Sequence, residues 1–308
     1  MSTPIAHWDD AGRRRLEQGP FRAFWTDLGR AAGSVVLGAR RAEIDPGARS
    51  TPVHRHSAEE EIFFVLAGSG LSWQDGRTFD VNAGDCLVHL PGKEAHTLVA
   101  GPEGLDVLVF GTRLPPEAAY LPRAEVAWLG TTWTNAGDGP HPWAREMAAG
   151  DLDLPAPTER PSTIVSLEGA TGISMSRGDF VWTSHDLGRA AGSVSFGLRH
   201  VTLDPGRRSF PLHCHTAEEE LFVVLEGTGT CILGEEQHPL RPGSVVARPA
   251  GTGVAHSFRA GDEPMVYLAC GLRDPRDVAW YPHSGKVMFR GLKLVGRLEL
   301  TEYWDGEL

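Results

Sequence analysis

The chain has 308 residues, a length typical of two domains, and its hydrophobic fraction of 41% allows a core in each. A formal net charge of -11 disfavours nucleic-acid binding, because such a surface repels phosphate backbones. The sequence contains no run of about 18 apolar residues and no apolar N-terminal core, so neither a membrane span nor a signal peptide is expected. Four cysteines without paired spacing favour a reducing, cytoplasmic compartment.

The first predicted element is a short helix within residues 11–25, with the basic run Arg13-Arg14-Arg15 on its solvated face. From residue 34 the pattern changes to short β-like runs bounded by Gly, Pro or Asp, namely SVVLGARRAEI, EIFFVLAG, TFDV and DCLVHLP. A second series follows residue 192, with SVSFGLRHVTL, ELFVVLEG, TCILG and SVVARP. Regular short strands without intervening helices predict an all-β sandwich or barrel.

The two series are copies of one unit. LGRAAGSV occurs at residues 28–35 and again at 187–194. The repeat predicts an N-terminal domain at 1–113 and a C-terminal domain at 178–308, which ends in an extension with one or two added strands. Residues 114–177 between them are rich in Pro and Gly but contain Trp128, Trp133 and Trp143, which predicts a linker that packs on the domain surfaces.

Each copy contains a His-x-His pair, a glutamate and a later histidine. Side chains two residues apart in a strand point to one face, so His54 and His56 can converge on one ion. The polar turn that follows leaves the next strand free to bring Glu61 to the same pocket, and His96 supplies a third imidazole. The second copy repeats the set as His213, His215, Glu220 and His256. The sequence therefore predicts one metal site per domain.

These residues make each half resemble the cupin superfamily, over about 90 residues per copy. The two family motifs are matched by Gly47, His54, His56, Glu61, Gly68, Gly84, Pro91 and His96, and again by Gly206, His213, His215, Glu220, Gly227, Gly243, Pro249 and His256. The usual Asn after the last histidine is replaced by Ala100 and Ala260, and both copies depart from the family in loop length. The resemblance implies two tandem barrels of the double-stranded β-helix (jelly-roll) type, a bicupin with a packed linker. The tail is similar to that of an uncharacterised bacterial bicupin group.

The glutamate register has to be chosen among consecutive residues. Counting back from the motif glycine selects Glu61 and Glu220 as the ligands. Their neighbours, at 59–60 and 218–219, are expected to be turn carboxylates in solvent, because an unpaired buried charge is costly. Glu61 and Glu220 are also the candidate catalytic residues, either as ligands or as bases.

Three imidazoles and one carboxylate suit Fe, Mn, Zn, Ni or Cu, and the sequence does not choose among them. Cys214 lies between two ligand histidines and points to the other strand face, as a small buried hydrophobe. His89 and its counterpart Arg248 are interpreted as ordinary strand residues.

The resemblance favours a metal-dependent enzyme, a dioxygenase-type oxidoreductase that acts on a small organic substrate. Metal-dependent isomerases, lyases and aminohydrolases stay open, as does a non-enzymatic small-molecule-binding or storage-type cupin. Thr51 and Phe210 stand where oxalate-degrading relatives carry an arginine, so oxalate is a disfavoured substrate. Open sheet edges leave a homodimer among the expected partners.

Overall fold

The computed structural model describes residues 4–113, 117–129 and 140–307, so Trp133 lies outside the described residues. The first half contains β1 (Ile5–His7), β2 (Arg13–Gln18), β3 (Phe21–Asp27), β4 (Leu37–Ile44), β5 (Arg55–His56), β6 (Glu61–Gln74), β7 (Arg77–Asn82), β8 (Asp85–His89), β9 (His96–Thr112), β10 (Ala118–Leu121), β11 (Val126–Leu129) and β12 (Ile164–Ser166). The second half contains β13 (Gly172–Arg177), β14 (Phe180–Asp186), β15 (Phe196–Leu203), β16 (Cys214–His215), β17 (Glu220–Glu226), β18 (Gly229–Leu233), β19 (Glu236–Leu240), β20 (Ser244–Arg248), β21 (His256–Ala260), β22 (Met265–Leu272), β23 (Val278–Tyr281), β24 (Lys286–Phe289) and β25 (Leu294–Arg297). The helices are α1 (Leu28–Ala31), α2 (Pro142–Ala148) and α3 (Leu187–Ala190), with a 3-10 turn at Pro282–Ser284.

Each half is built around one large antiparallel sheet. In the first half its order is β12-β8-β6-β9-β4-β3-β2, with β7 paired to β6, and a smaller sheet has the order β11-β10-β5. In the second half the large sheet has the order β1-β20-β17-β22-β15-β14-β13, and the smaller sheets are β16-β23-β24-β25 and β19-β18-β21. The all-β class and the paired repeat are as predicted. In the described ranges, the helices are all too short or too polar to cross a membrane.

The two large sheets pack face to face through a shared core. On β6, Ile62 and Phe64 point into this core, where they meet Leu221 and Val223 of β17. The alternate residues of β6, such as Phe63, point into the core of the first repeat itself. Because both faces of these strands are buried, the strands read as continuous apolar runs rather than alternating ones.

Each repeat also receives a strand from a segment that precedes the other repeat. β1 pairs with β20, with Ile5 opposite Val246, and β12 pairs with β8, with Ile164 opposite Leu87. The linker packs on the first repeat, as predicted: Trp143 lies 4.9 Å from Phe21, measured between ring centroids. We propose domain limits at 1–113 and 178–308 joined by 114–177. This linker supplies β12 to the first large sheet and β13 to the second, and β1 crosses to the second sheet.

The helix predicted within residues 11–25 is wrong. Strands β2 and β3 form a hairpin there, with Gln18 opposite Phe21 and Gly19 at a φ of 57° in the turn. Arg13–Arg15 therefore lie on an exposed edge strand rather than on a helix face. In each strand alternate side chains point to opposite faces, and the two residues Gly19 and Pro20 form the turn between the strands. This pattern fits the segment better than a helical period does. One or two strands were expected in the C-terminal extension, and two are present there, β24 and β25.

Candidate metal centres

The first predicted ligand set converges on one carboxylate oxygen. Glu61 Oε2 lies 2.9 Å from His96 Nε2, 3.2 Å from His56 Nε2 and 3.7 Å from His54 Nε2. Each of the four side chains is at most 15% exposed. The four predicted residues are thus brought together, with the imidazole Nε2 atoms directed at a single point.

Local backbone pairing explains this convergence. His54 and His96 exchange two backbone hydrogen bonds, with N···O distances of 3.2 and 2.8 Å, so their side chains share a face. Glu61 opens β6 opposite Gly111 of β9, and Gly111 in turn lies opposite Gly38 of β4. A Cβ added at Gly111 would lie 3.8 Å from Glu61 Cγ, so this position adjoins the stem of the carboxylate.

The second ligand set has the same arrangement. Glu220 Oε2 lies 3.0 Å from His256 Nε2 and 3.4 Å from His215 Nε2. His213 groups with Glu220 and His256, with ligand atoms within 4.8 Å of one another. His213 and His256 exchange backbone hydrogen bonds of 3.2 and 2.7 Å, as in the first repeat.

Charge balance in each site depends on one imidazole. Burial opposes protonation of His56, but the charge of Glu61 and a hydrogen bond to Glu117 outweigh it and raise the pKa of His56 to about 10. Burial likewise opposes the charge of Glu61, yet the charge of His56 and three histidine contacts hold its pKa well below 4.5. In the second repeat burial opposes protonation of His215, but its hydrogen bond to Asp277 and its contact with the charged Glu220 raise its pKa to about 9. Each buried carboxylate therefore favours a positive charge beside it.

Two carboxylates that sequence reasoning missed orient these imidazoles. His56 Nδ1 lies 3.0 Å from Glu117 Oε1, and His215 Nδ1 lies 2.7 Å from Asp277 Oδ2. Each carboxylate also accepts backbone N–H bonds from the turn after its histidine, including those of Ala58 and Ala217. A carboxylate on the second ring nitrogen fixes the tautomer and directs Nε2 at the metal. The signal was in the repeat, since RLPPEAAYL and RDPRDVAWY place an acid at matching positions.

The expectation for the neighbouring glutamates is wrong for three of the four. Glu60, Glu218 and Glu219 are buried, whereas Glu59 is only partly so. Each is buried because it has partners: Glu60 accepts bonds from the backbone of Val194 and Ser195, in the other repeat. Glu218 accepts a bond from Arg290 Nε at 3.0 Å. Consecutive residues of a strand point to opposite faces, so one glutamate enters the metal site and its neighbour enters the inter-repeat surface.

His89 is a further residue of the first site. It lies opposite Glu61 in the sheet, and its ring stacks on His96 with centroids 3.8 Å apart and planes inclined by 6°. Its Nδ1 bonds Glu94 at 2.9 Å. At the matching position of the second repeat, Arg248 instead bonds the carbonyl of Val254. The two centres therefore have the same types of candidate ligand but differ in the residue next to them, a histidine in the first and an arginine in the second.

A cavity of about 250 Å³ opens onto the second centre. Its wall includes the ligands, the glycine pair Gly197 and Gly271, and several charged and aromatic side chains. The latter are Asp186, Arg199, Phe210, Arg273, Tyr281 and Arg290. Three guanidinium groups therefore line this space. Burial and the charge of Arg199 both lower the pKa of Arg290.

The donor set fits a divalent transition metal. Imidazole nitrogens and a carboxylate oxygen are ligands of such ions. His215 Nε2 and Glu220 Oε2 are buried without a hydrogen-bond partner among the described residues, as is His56 Nε2. Buried polar atoms in this state require a partner, and one cation in each site would supply it. Each repeat thus carries a candidate metal site.

Comparison with known proteins places these sites in a family. The cupin domain family matches residues 40–110 and 199–271, the segments that hold both ligand sets. The chain is a two-domain cupin. Its fold is similar to that of a variant of oxalate decarboxylase from Bacillus subtilis, with a TM-score of 0.62 at 20% identity, over 91% of this chain and 80% of that one. At that identity the likeness concerns the fold alone.

Curated relatives of this bicupin match single segments. Dimethylsulfoniopropionate lyase DddW from Ruegeria pomeroyi is 43% identical over 75 residues, which are 24% of this chain and 46% of the relative. Auxin-binding protein 1 from Arabidopsis thaliana is 39% identical over 99 residues, 27% of this chain and 48% of the relative. The chain thus spans about half the length of these curated relatives.

Proposed function

We propose that this bicupin is a metal-dependent enzyme that acts on a small organic substrate in the cavity of the second repeat. The observation that carries the proposal is the junction of a complete ligand set, including the unpartnered Glu220 Oε2, with a cavity of about 250 Å³. Ligand sites are concave and combine apolar walls with a few polar groups, as this one does. Its volume suits a small molecule.

The proposal assigns one ion to each domain, Fe, Mn, Zn, Ni or Cu, with ligands His54, His56, Glu61 and His96 in the first and His213, His215, Glu220 and His256 in the second. Such an ion supplies Lewis-acid polarisation of a substrate oxygen and, for a redox-active metal, one-electron chemistry. Oε2 of Glu61 and Oε2 of Glu220 would serve as a ligand atom or as a proton acceptor. All four cysteines are unpaired and buried, which supports a cytoplasmic location.

Charge at the second cavity favours an acidic substrate. Arg199 is half-exposed at the wall, with 49% of its side chain accessible, and Arg290 faces the same space. Arg290 is already paired with Glu218, which leaves Arg199, of these two, as the guanidinium that a substrate carboxylate would bind. Since Asp186 lies 3.5 Å from Arg199, the substrate would share this arginine with Asp186. Guanidinium groups recognise carboxylates through paired N–H donors.

Dioxygenase-type oxidation is the reaction we favour for this ligand set. A lyase or decarboxylase reaction is the second candidate, because one curated relative carries the name of a lyase and one protein of similar fold that of a decarboxylase. Both classes use a metal with positions open to substrate, and the described residues serve either.

The test begins with metal content. Elemental analysis of the protein, reconstituted separately with Fe(II), Mn(II) and Zn(II), is expected to give one to two metals per chain. The double variants His54→Ala/His56→Ala and His213→Ala/His215→Ala should each lose about one metal per chain. Less than about 0.2 metal per chain after reconstitution would refute the proposal.

Activity is then measured as oxygen uptake and carbon dioxide release with phenols, diketones and small carboxylic acids. We expect turnover that His213→Ala/His215→Ala abolishes and that His54→Ala/His56→Ala reduces less. Stoichiometric ligand binding without turnover in any metal form would instead support a non-enzymatic binding cupin.

A further inference from the structure

The C-terminal arm, residues 289–307, is unusually apolar for an exposed segment. Half of the exposed large hydrophobic side chains in the described chain lie within the sixteen residues from Phe289 to Trp304. They are Phe289, Leu292, Leu294, Val295, Leu298, Leu300, Tyr303 and Trp304. Concentrated apolar surface of this kind marks an interaction site more often than a solvated one.

The arm also presents an open sheet edge. Among the described strands, β25 is the last of its sheet and pairs with β24 alone, and all four of its residues are exposed. Its position is nevertheless defined by backbone pairing, and just beyond it Leu298 N donates to the carbonyl of Gly285 at 3.0 Å. An ordered strand with free edge N–H and C=O groups is a ready template for another strand.

The distal part of the arm is acidic. Residues 298–307 read LELTEYWDGE, with four carboxylates and no basic side chain. An exposed basic strand exists elsewhere in the chain: β2 carries Arg13, Arg14 and Arg15 at the edge of the large sheet of the first repeat. Within one molecule, Arg13 and Arg15 are paired with Glu43 and Asp45, and Arg14 is exposed.

We propose that the arm of one molecule docks on β2 of a second copy of this chain, and that the second copy docks reciprocally. The charges are complementary and both surfaces are sheet edges. Because each copy offers both surfaces, two reciprocal contacts would give a closed two-fold dimer. The apolar side chains of the arm supply the buried area, and the arginine strand supplies the register. Because Met288 and Arg290 also line the second cavity, this contact would fix one wall of it.

Sedimentation velocity and light scattering of the full-length protein, at about 1 to 100 µM, test this assignment. We expect a dimer that dissociates when Leu294 and Val295 are both changed to Asp. Arg14→Glu should weaken the dimer by tenfold or more, and raised salt should weaken it as well. The double variant Arg14→Glu/Glu302→Arg should recover at least part of the dimer affinity that Arg14→Glu loses.

The matched control is Arg177→Glu on β13, the equivalent edge strand of the second repeat, which should leave the dimer unchanged. Thermal unfolding of each variant checks that the exposed substitution leaves the fold intact. A monomer at 100 µM would overturn the proposal. If the arm of that monomer were also protected from protease, the arm would fold back over the second cavity of its own molecule. A dimer sensitive to Arg177→Glu but not to Arg14→Glu would overturn it too.

Discussion

The carboxylate of Glu219 lies 2.5 Å from the backbone nitrogen of Val36, although the two residues belong to different repeats. The same carboxylate accepts bonds from Val35 and Leu37 at 2.7 and 2.9 Å. Glu60 makes the reciprocal contact with the backbone of Val194 and Ser195, at the end of the second LGRAAGSV. Each candidate metal-ligand glutamate therefore adjoins a glutamate that is anchored in the opposite repeat. The repeated segment LGRAAGSV lies at the surface between the two repeats.

Changing Glu219 to Ala should destabilise the protein by about 2–4 kcal/mol, because three backbone N–H groups lose a charged acceptor. Urea unfolding measures the shift of the midpoint. The control is Glu226→Ala, an exposed glutamate at the far end of β17. Equal midpoints for the two variants would contradict a structural role for Glu219.

Removing the charge of an orienting carboxylate should weaken metal binding without removing a ligand. Glu117→Gln and Asp277→Asn are each expected to reduce affinity at their own site by about 10–100-fold. Competition against a chromophoric chelator measures this. Glu94→Gln is the matched control, because Glu94 bonds His89 rather than a ligand. If Glu94→Gln weakened binding as much as Glu117→Gln, the orienting role would be wrong.

Binding of a carboxylate in the second cavity should depend on Arg199. Calorimetric titration of the metal-loaded protein with small carboxylates and their neutral amides is expected to show binding of the acids only, weakened about tenfold by Arg199→Gln. Arg40→Gln, at the corresponding position of the first repeat, should leave this binding unchanged. Equal affinity for acids and amides would refute the acidic substrate and leave the metal sites unaffected.

Stability should fall as the pH falls from 6.5 toward 4, in part through His200. Burial, reinforced by the nearby His185, lowers the pKa of His200 to about 4. In this window the unfolded chain, with a histidine pKa near 6.5, binds a proton that the folded chain excludes, so acid favours unfolding. Since His200 is only partly buried, we expect His200→Gln to recover about 1–2 kcal/mol of the loss at pH 4.5. An unchanged pH profile would contradict this.

The sequence was sufficient for the elements that repetition and strand alternation control. The two repeats and the all-β class follow from repetition and the strand pattern, and the pairing of His54 with His56 follows from alternation. The register of Glu61 was chosen from the resemblance to the cupin motif. The hairpin at 13–27 was missed because its basic residues were assigned to a helix. A two-residue Gly-Pro turn between alternating segments was the available signal.

The rest depends on long-range partners. The burial of Glu60 and Glu219 could be predicted only if the outer face of each large sheet were known to be an interface. Their partners lie more than 130 residues away along the chain. The metal-orienting roles of Glu117 and Asp277 likewise depend on contacts about 60 residues along the chain. Alternation predicts that neighbouring glutamates diverge, but not what each of them meets.

The exchange of β1 and β12 gives the bicupin the character of a domain-swapped dimer within one polypeptide. A fragment cut at the repeat boundary would leave β8 or β20 as a bare edge and uncover the apolar face between the sheets. Each half then depends on its sister for solubility, and during synthesis the first sheet stays incomplete until residues 164–166 have emerged. The two repeats are therefore expected to fold as one cooperative unit.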